Sequence, residues 1–493
     1  MLTLAVLIPL LASAVLALVP VRDARTCRIG ATAVTAVAFA LLLAVWAVAA
    51  PTEGYRAVAE VPWVPSLGIA WRVGVDGMSL ALALVTAVVF LAATAWPVSV
   101  PRARAFYAWL LFLAGVSIGL FVTLDLIVFY VFFDLSLVGM YFLIGRWGHG
   151  DAQHAAVKFF VYTLAGSLLI LFGIIVLALA MPELTFDMRA IMEAAPVDGA
   201  GVVPGLILLA FVIGFGIKTP VFPLHTWLPP AHVNAPGPAS AILAGVLLKM
   251  GTYGLVRLPL QMMPETFARF ALPLALLGLA SILWGAIVAY AQANLKRRIA
   301  YTSVNHMGYV VLGIAVAGSG LGSEAARQLA LTGAVVEMVA HGLITGALFL
   351  IAGAFWERTQ DYDLANYGGL AERAPRLTLM ATLGSFASLG LPGLAGFVAE
   401  LHIFLGAFGV YPWIAAVGLL GLVVTAALFL NLLRQVFFGE LVTVRTGFAD
   451  LRPAETAVLA GLLALVVLIG IWPTWLLDLI DAGGVLAAPG AGG

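Results

Sequence analysis

Six ionisable side chains stand near the middle of long apolar runs: Asp134, Lys218, Lys249, His306, His341 and Glu400. Glu337, four residues before His341, is a seventh. An ionised group at the centre of a bilayer costs about 2.5–3.5 kcal/mol on insertion scales. Six such groups, charged and unpaired, would cost on the order of 15 kcal/mol, which rivals the stability of a whole domain. They must face the protein interior, pair with one another, or contact internal water. Each also has a plain structural reading. Lys218 could snorkel to the surface and Asp134 could be a passive counter-ion. Lys249 could be purely structural, and Glu400 could cap a helix break. His306 and His341 could each be a satisfied buried hydrogen-bonder. Glu337 and His341 share a helix face and could form a local ion pair.

Taken together, acids, lysines and histidines at similar depth on several helices are the parts of a proton relay. Histidine titrates near neutrality unaided. A lysine releases its proton near pH 7 only if its ammonium form is disfavoured by about 4–5 kcal/mol. Burial supplies part of that, and a nearby carboxylate opposes it. An Asp–Lys pair of changeable separation is therefore a switch that loads and unloads a proton.

The elements that carry these groups follow from composition. The chain has 493 residues, 63% hydrophobic and 10% charged, against roughly 25% charged in soluble domains. A soluble globule of this size cannot cover its surface with so few charges, and a disordered chain is excluded by the same figures. The formal net charge is zero, so nothing points to a nucleic-acid partner. The single cysteine, Cys27, excludes an internal disulfide and a cysteine-held zinc or iron–sulfur cluster. What remains is an all-α polytopic membrane protein in the lipid bilayer. A spanning helix needs about 20 apolar residues. The runs predict fourteen spans, near 2–21, 29–50, 76–97, 105–124, 125–145, 155–181, 202–228, 236–259, 268–291, 297–318, 328–356, 375–409, 411–437 and 454–480. Continuous rather than alternating apolarity excludes a transmembrane barrel. The first run has no basic stretch before it and leads straight into a second span, so it reads as a span and not a cleaved signal. Pro220 and Pro223 in the seventh run and Pro392 in the twelfth predict broken helices, because proline removes a backbone donor and clashes with the preceding turn.

Cations outside the spans are biased. Loops after odd-numbered spans carry sixteen: Arg22, Arg25, Arg28, Arg102, Arg104, Arg146, Lys158, Lys296, Arg297, Arg298, Arg358, Arg373, Arg376, Arg434, Arg445 and Arg452. Loops after even-numbered spans carry six: Arg56, Arg72, Arg189, Arg257, Arg269 and Arg327. The positive-inside rule then puts odd loops in the cytoplasm and both termini outside. The chain also repeats itself weakly. Gly166 and Gly173 map onto Gly346 and Gly353, and Lys218 maps onto Glu400. Spans four to eight thus correspond to nine to thirteen. Five is odd, so the second copy enters the membrane upside down, as in transporters with inverted repeats. The chain divides into 1–100 (three N-terminal helices), 101–260 (first five-helix unit), 261–440 (second, inverted unit) and 441–493 (last helix and tail).

The stretch KTPVFPLHTWLPPAHVNAPGPASAILAGVLLKMGTYGLVR at 218–257 resembles the antiporter-like subunits of respiratory complex I, most closely their M-type branch. The likeness continues in VFYVFFDLSLVGMYFLIGRWG at 128–148, LKRRIAYTSVNHMGYVVLGI at 295–314 and LPGLAGFVAE at 391–400, and covers essentially the whole chain. It implies fourteen helices, two inverted units and a polar axis through the middle of the membrane. It also implies proton pumping driven by NADH oxidation and quinone reduction elsewhere in the complex. On that pattern Asp134, Lys218, Lys249, His306, His341 and Glu400 are the proton-carrying positions. Glutamate rather than lysine at 400 favours the M type over the L and N types and over multisubunit sodium/proton antiporters. Three residues depart from the pattern. Asp134 is one methylene shorter than the usual glutamate, Pro230 replaces an acid, and Glu337 stands where a neutral polar residue is expected. Such changes fit a divergent or secondary copy of the complex.

The resemblance also implies L-like and N-like neighbours, with NADH, FMN, iron–sulfur clusters and quinone held by other subunits and no cofactor, metal or redox site in this chain. No strand-borne glycine fingerprint for a nucleotide is present. The arginine bias fits a GC-rich bacterial genome, hence a bacterial cell membrane. An antiporter or membrane-hydrogenase subunit is the rival reading. A scaffold is a third, disfavoured because it gains nothing from the cost of mid-membrane charges.

Overall fold

The computed structural model describes residues 1–21, 23–48, 54–442 and 447–481; Arg22 and Arg445 of the charge count lie outside these. Among the described residues, eleven helices are long and apolar enough to cross a membrane, and Leu2–Leu18, Val202–Lys218 and Ala395–Val410 are shorter apolar helices. Together they coincide with the fourteen predicted spans. In chain order the first six are α1 (Leu2–Leu18), α2 (Ala24–Val48), α3 (Gly77–Ala95), α4 (Ala103–Val122), α5 (Leu126–Trp147) and α6 (Ala152–Leu179). A short α7 (Met188–Ala194) lies in the loop that follows. The seventh span is α8 (Val202–Lys218), a non-helical stretch, then α9 (Leu228–Asn234). The eighth is α10 (Gly237–Ile242) and α11 (Leu248–Leu255), with wider π-helical turns at Leu243–Leu247 and Val256–Leu260. Then come α12 (Pro264–Tyr290), α13 (Leu295–Ala317), α14 (Glu324–Thr359) and a one-turn α15 (Leu370–Arg373). The twelfth span is α16 (Pro375–Ser388) and α17 (Ala395–Val410), followed by α18 (Pro412–Val436), α19 (Pro453–Ile471) and α20 (Thr474–Asp481).

Both predicted breaks are present. The stretch 219–227 interrupts the seventh span and 389–394 the twelfth. In the second break Gly390 and Gly393 have φ of +76° and +91°, a region that costs a side-chain-bearing residue but not glycine. The last span differs from expectation. The run 454–480 is one helix on hydrophobicity alone, but α19 stops at Ile471 and α20 restarts at Thr474. Pro473 cannot donate to the helix, and the residue before it, Trp472, is pushed out of helical geometry at φ −132° and ψ 76°.

Backbone bridges, not sequence similarity, give the inverted repeat its clearest mark. Leu126 N–H donates to Phe186 O and Met188 N–H to Leu124 O, both at 2.9 Å. Leu295 N–H donates to Tyr362 O at 2.8 Å and Leu364 N–H to Ala293 O at 2.9 Å. The first pair ties the start of the fifth span to the segment after the sixth; the second ties the tenth to the segment after the eleventh. In both, side chains cap the helix starts: Asp125 accepts from Ile127 and Val128 N–H, and Asn294 from Arg297 N–H. One bridge joins two even-numbered loops and the other two odd-numbered loops, so equivalent structures sit on opposite faces. The glycine matches do not mark equivalent contacts. Gly166 packs on Gly214 of α8, whereas its match Gly346 faces Val89 of α3; Gly173 packs on Phe211 of α8, whereas its match Gly353 packs on Gly237 of α10.

An antiparallel hairpin, which the hydrophobic runs did not reveal, follows the second span: β1 (Arg56–Val64) pairs with β2 (Ile69–Val75). Arg72 fastens it across the even-loop face, reaching Asp125 at 2.7 Å and Glu60 at 2.8 Å. The Asp125 side chain is fully buried and also accepts from Ala70 N–H.

Candidate functional site

The end of α8, just before the seventh span breaks, holds Lys218. Its ammonium is almost fully buried and donates to Ser136 Oγ at 3.0 Å. It also stands 4.9 Å from the centre of the Phe133 ring, a cation–π contact that partly replaces lost hydration. Ser136 and Phe133 belong to α5, on either side of Asp134. The Asp134 carboxylate is not within ion-pair distance (4.0 Å) of Lys218. Its Oδ1 is buried with no hydrogen-bond partner. The two opposite charges thus stand apart, with a serine hydroxyl holding the ammonium.

Close packing brings Lys249 beside this site. A Cβ at Gly251 of α11 would stand 2.8 Å from Phe215 O and 2.4 Å from Thr219 Oγ1, so only glycine lets the eighth span lie this close to the break. The π-helical turn before α11 leaves the Ala244 carbonyl facing the Lys249 ammonium, which donates to it. Such turns free a backbone acceptor and gather at functional sites. Lys249 Nζ also stands 2.6 Å from His341 Nδ1 on α14.

From His341 the polar groups continue into the second unit. The His341 and His306 rings are 5.5 Å apart. His306 Nδ1 lies 2.9 Å from Glu337 Oε1, and its Nε2 lies 3.1 Å from Ser388 Oγ at the lip of the second break. The local Glu337–His341 pair allowed by their spacing is not formed. Both sit on α14, but His341 turns to Lys249 and Glu337 to His306. Glu400, on α17 beyond the break, is almost fully buried with Oε1 unpartnered. Its carboxylate lies over Gly390, where a Cβ would come within 2.0 Å of Oε2. The structure thus gathers Lys249, His306, His341 and Glu337 into one connected group. Lys218 and Asp134 flank it on one side and Glu400 on the other.

Several buried ionisable groups escaped the sequence reading, among them Lys296, His232 and Arg257. Lys296, counted as a loop cation, is fully buried and donates to Ala235 O. His232 is fully buried, with neither ring nitrogen hydrogen-bonded, and stacks on Phe349 at 4.2 Å. Arg257, also counted in a loop, forms a buried ion pair with Asp76 at 2.5 Å. Helical spacing could have shown two of them. Lys296 shares a face with the buried Ile299 and Ser303, and Arg257 lies eight residues beyond Lys249 on the same side.

Residues 123–429 match the transmembrane family described as NADH:quinone oxidoreductase/Mrp antiporter. The chain belongs to this family. Among relatives of this oxidoreductase/antiporter family, NAD(P)H-quinone oxidoreductase chain 4 1 of Picosynechococcus sp. is 39% identical over 96% of this chain and 89% of its own length. The protein of the same name from Nostoc sp. is 36% identical over 98% and 90%. A chain of respiratory complex I from Thermus thermophilus, solved with bound NADH, superposes with a TM-score of 0.87 at 30% identity, covering 99% of this chain and all of that one. A chain of the Mrp complex from Dietzia sp. shares the fold at a TM-score of 0.85 and 24% identity, covering 98% and 96%.

Proposed function

We propose that this chain is the M-type, proton-translocating membrane-arm subunit of an NADH:quinone oxidoreductase. Its relatives at 36–39% identity over nearly full length are quinone oxidoreductase chains. Protons move along Lys218, Lys249, His341, His306 and Glu400, and Asp134 adjusts how tightly Lys218 holds its proton. NADH, FMN, iron–sulfur clusters and quinone belong to other subunits, which include L-like and N-like neighbours, and this chain carries no redox site of its own. The odd-numbered loops face the cytoplasm of a bacterial cell and both termini face out, in keeping with the bias of cations toward odd loops.

The observation that carries this reading is the Lys249–His341 contact at 2.6 Å. A lysine and an imidazole at that distance share one proton. Either the ammonium donates to a neutral ring nitrogen, or the ring N–H donates to a neutral amine. Both forms keep the hydrogen bond, so the proton crosses between Lys249 Nζ and His341 Nδ1 without breaking it. A scaffold would leave two basic groups in contact inside the membrane for no return.

The test is proton release per electron pair by the whole complex in reconstituted vesicles. Lys218→Ala and Glu400→Gln should both lower the ratio while the complex still assembles. Glu400→Gln is nearly isosteric, so it removes the exchangeable proton and little else. A wild-type ratio in both variants would overturn the reading.

A further inference from the structure

We infer that Glu337 is a further proton-carrying group, taking a proton from His306 and passing it to Glu400. This rests on the proton-translocating reading above and adds a station to it.

Three features of the site lead there. First, His306 is held so that two of its protonation states keep every hydrogen bond. As a neutral ring it donates from Nδ1 to Glu337 Oε1 at 2.9 Å and accepts at Nε2 from the Ser388 hydroxyl at 3.1 Å. As an imidazolium it donates from both nitrogens, and Ser388 turns from donor to acceptor, which a hydroxyl does by rotation. His306 therefore gains a proton at Nε2, on the side of the helix break, and still faces a carboxylate at Nδ1. Second, Glu337 is almost fully buried and only one of its oxygens is used. Oε2 has no hydrogen-bond partner. An ion pair serving structure alone leaves no reason for a buried carboxylate oxygen to stay open. Third, Glu400 also presents an unpartnered buried oxygen, Oε1. Glu337 of α14 and Glu400 of α17 lie level with each other where these helices pack, between the contact of Gly333 with Ile403 and that of Ile344 with Gly396. Two buried carboxylates in that position repel when both are ionised, and a single proton held by one of them relieves the repulsion.

The transfer balances with one proton. Imidazolium His306 gives its Nδ1 proton to Glu337 Oε1, leaving a neutral ring protonated at Nε2 and a neutral carboxylic acid. The acid then presents its O–H on the open side and gives the proton to Glu400, directly or through water. Glu337 returns to the carboxylate, and His306 resets to its starting form when Nδ1 regains a proton and Nε2 gives one up through the Ser388 hydroxyl.

The test uses the assembled complex in vesicles. Glu337→Gln keeps the shape and leaves an amide oxygen to accept from His306, but it cannot take up a proton. The proton-to-electron ratio should fall as far as in Lys218→Ala. Glu337→Asp should keep part of it, which a purely structural role would not require once glutamine fits. Infrared difference spectra of the wild-type complex during turnover should show a carboxylic-acid C=O band shifted by deuterium oxide. That band should be absent in Glu337→Gln and present in Glu400→Gln. A wild-type ratio in Glu337→Gln, with Lys218→Ala and Glu400→Gln impaired, overturns this inference alone. Wild-type ratios in all three overturn the parent reading. If Glu337→Gln does not assemble, Glu337→Asp and the wild-type spectrum decide, and the lack of any such carboxyl band rejects the proposal.

Discussion

At the scale of single residues, Asp134 and Lys218 are opposite charges held apart rather than paired. Lys218 rests on Ser136 and the Phe133 ring, and Asp134 makes no ion pair with it. Asp134 still acts on Lys218 through space, because a charge several ångströms away in a low-dielectric interior is poorly screened. Asp134→Glu adds one methylene and the same charge, so it should keep pumping close to wild type. Asp134→Ala removes the negative charge that favours the ammonium, and should lower proton release per electron pair toward the Lys218→Ala level. Equal pumping by the Ala and Glu variants would take Asp134 out of the mechanism. Asp134 and Lys218 were legible as intramembrane charges. Ser136 was not, because a serine in an apolar run is unremarkable until a lysine is seen to rest on it.

At the scale of elements, helix irregularities hold the charges in place. Two spans break at proline and glycine, and a third widens into π-helical turns around Lys249. The eighth span can approach the first break only through Gly251, beside Phe215 O and Thr219 Oγ1. Gly251→Ala should force the two segments apart by a few tenths of an ångström. Overpacking of this kind costs about 1–3 kcal/mol. The thermal transition of the detergent-solubilised complex should fall accordingly, and the proton-to-electron ratio should drop with it. An unchanged transition temperature would mean that the two segments yield freely. The breaks at Pro220, Pro223 and Pro392 were readable in the sequence because proline's chemistry is local, whereas the one at Pro473 was hidden by the apolar run that continues through it. The π-helical turns were not, since residues 243–247 have ordinary helix-forming composition and the irregularity answers packing.

Across the whole molecule, the two inverted units are tied at the odd-loop face. His149, in the loop after α5, donates its backbone N–H to Asn234 O in the seventh span at 2.9 Å. Its ring stacks on Trp356 of α14 at 3.7 Å. Burial, with the Lys296 charge adding to it, pushes the His149 imidazole down to about 4. The unfolded ring titrates near 6.5, so between these values the unfolded state binds more protons and stability falls with falling pH. The contribution is fully present above about pH 6.5 and is lost as pH drops toward 4. His149→Phe keeps the stack without the titration. Its thermal stability should therefore fall less than that of the wild type between pH 7 and pH 5. Parallel losses in both proteins would show that this contact does not respond to protonation.

Read as a string, the chain determined its environment, its fourteen spans, two of its proline breaks and the ionisable residues that stand inside its apolar runs. All of these depend on properties a residue carries with it: apolar run length, a missing N–H, a charge too costly to place in lipid. Only the tertiary structure decided which charges meet. Glu337 and His341 are neighbours on one helix, yet they turn to different partners on α13 and the eighth span. The hairpin, the buried Lys296 and the Asp76–Arg257 pair likewise depend on contacts between segments far apart in sequence. Hydrophobicity says that a charge must be sheltered. Which neighbour shelters it is settled by the packing of helices whose registers no local pattern records.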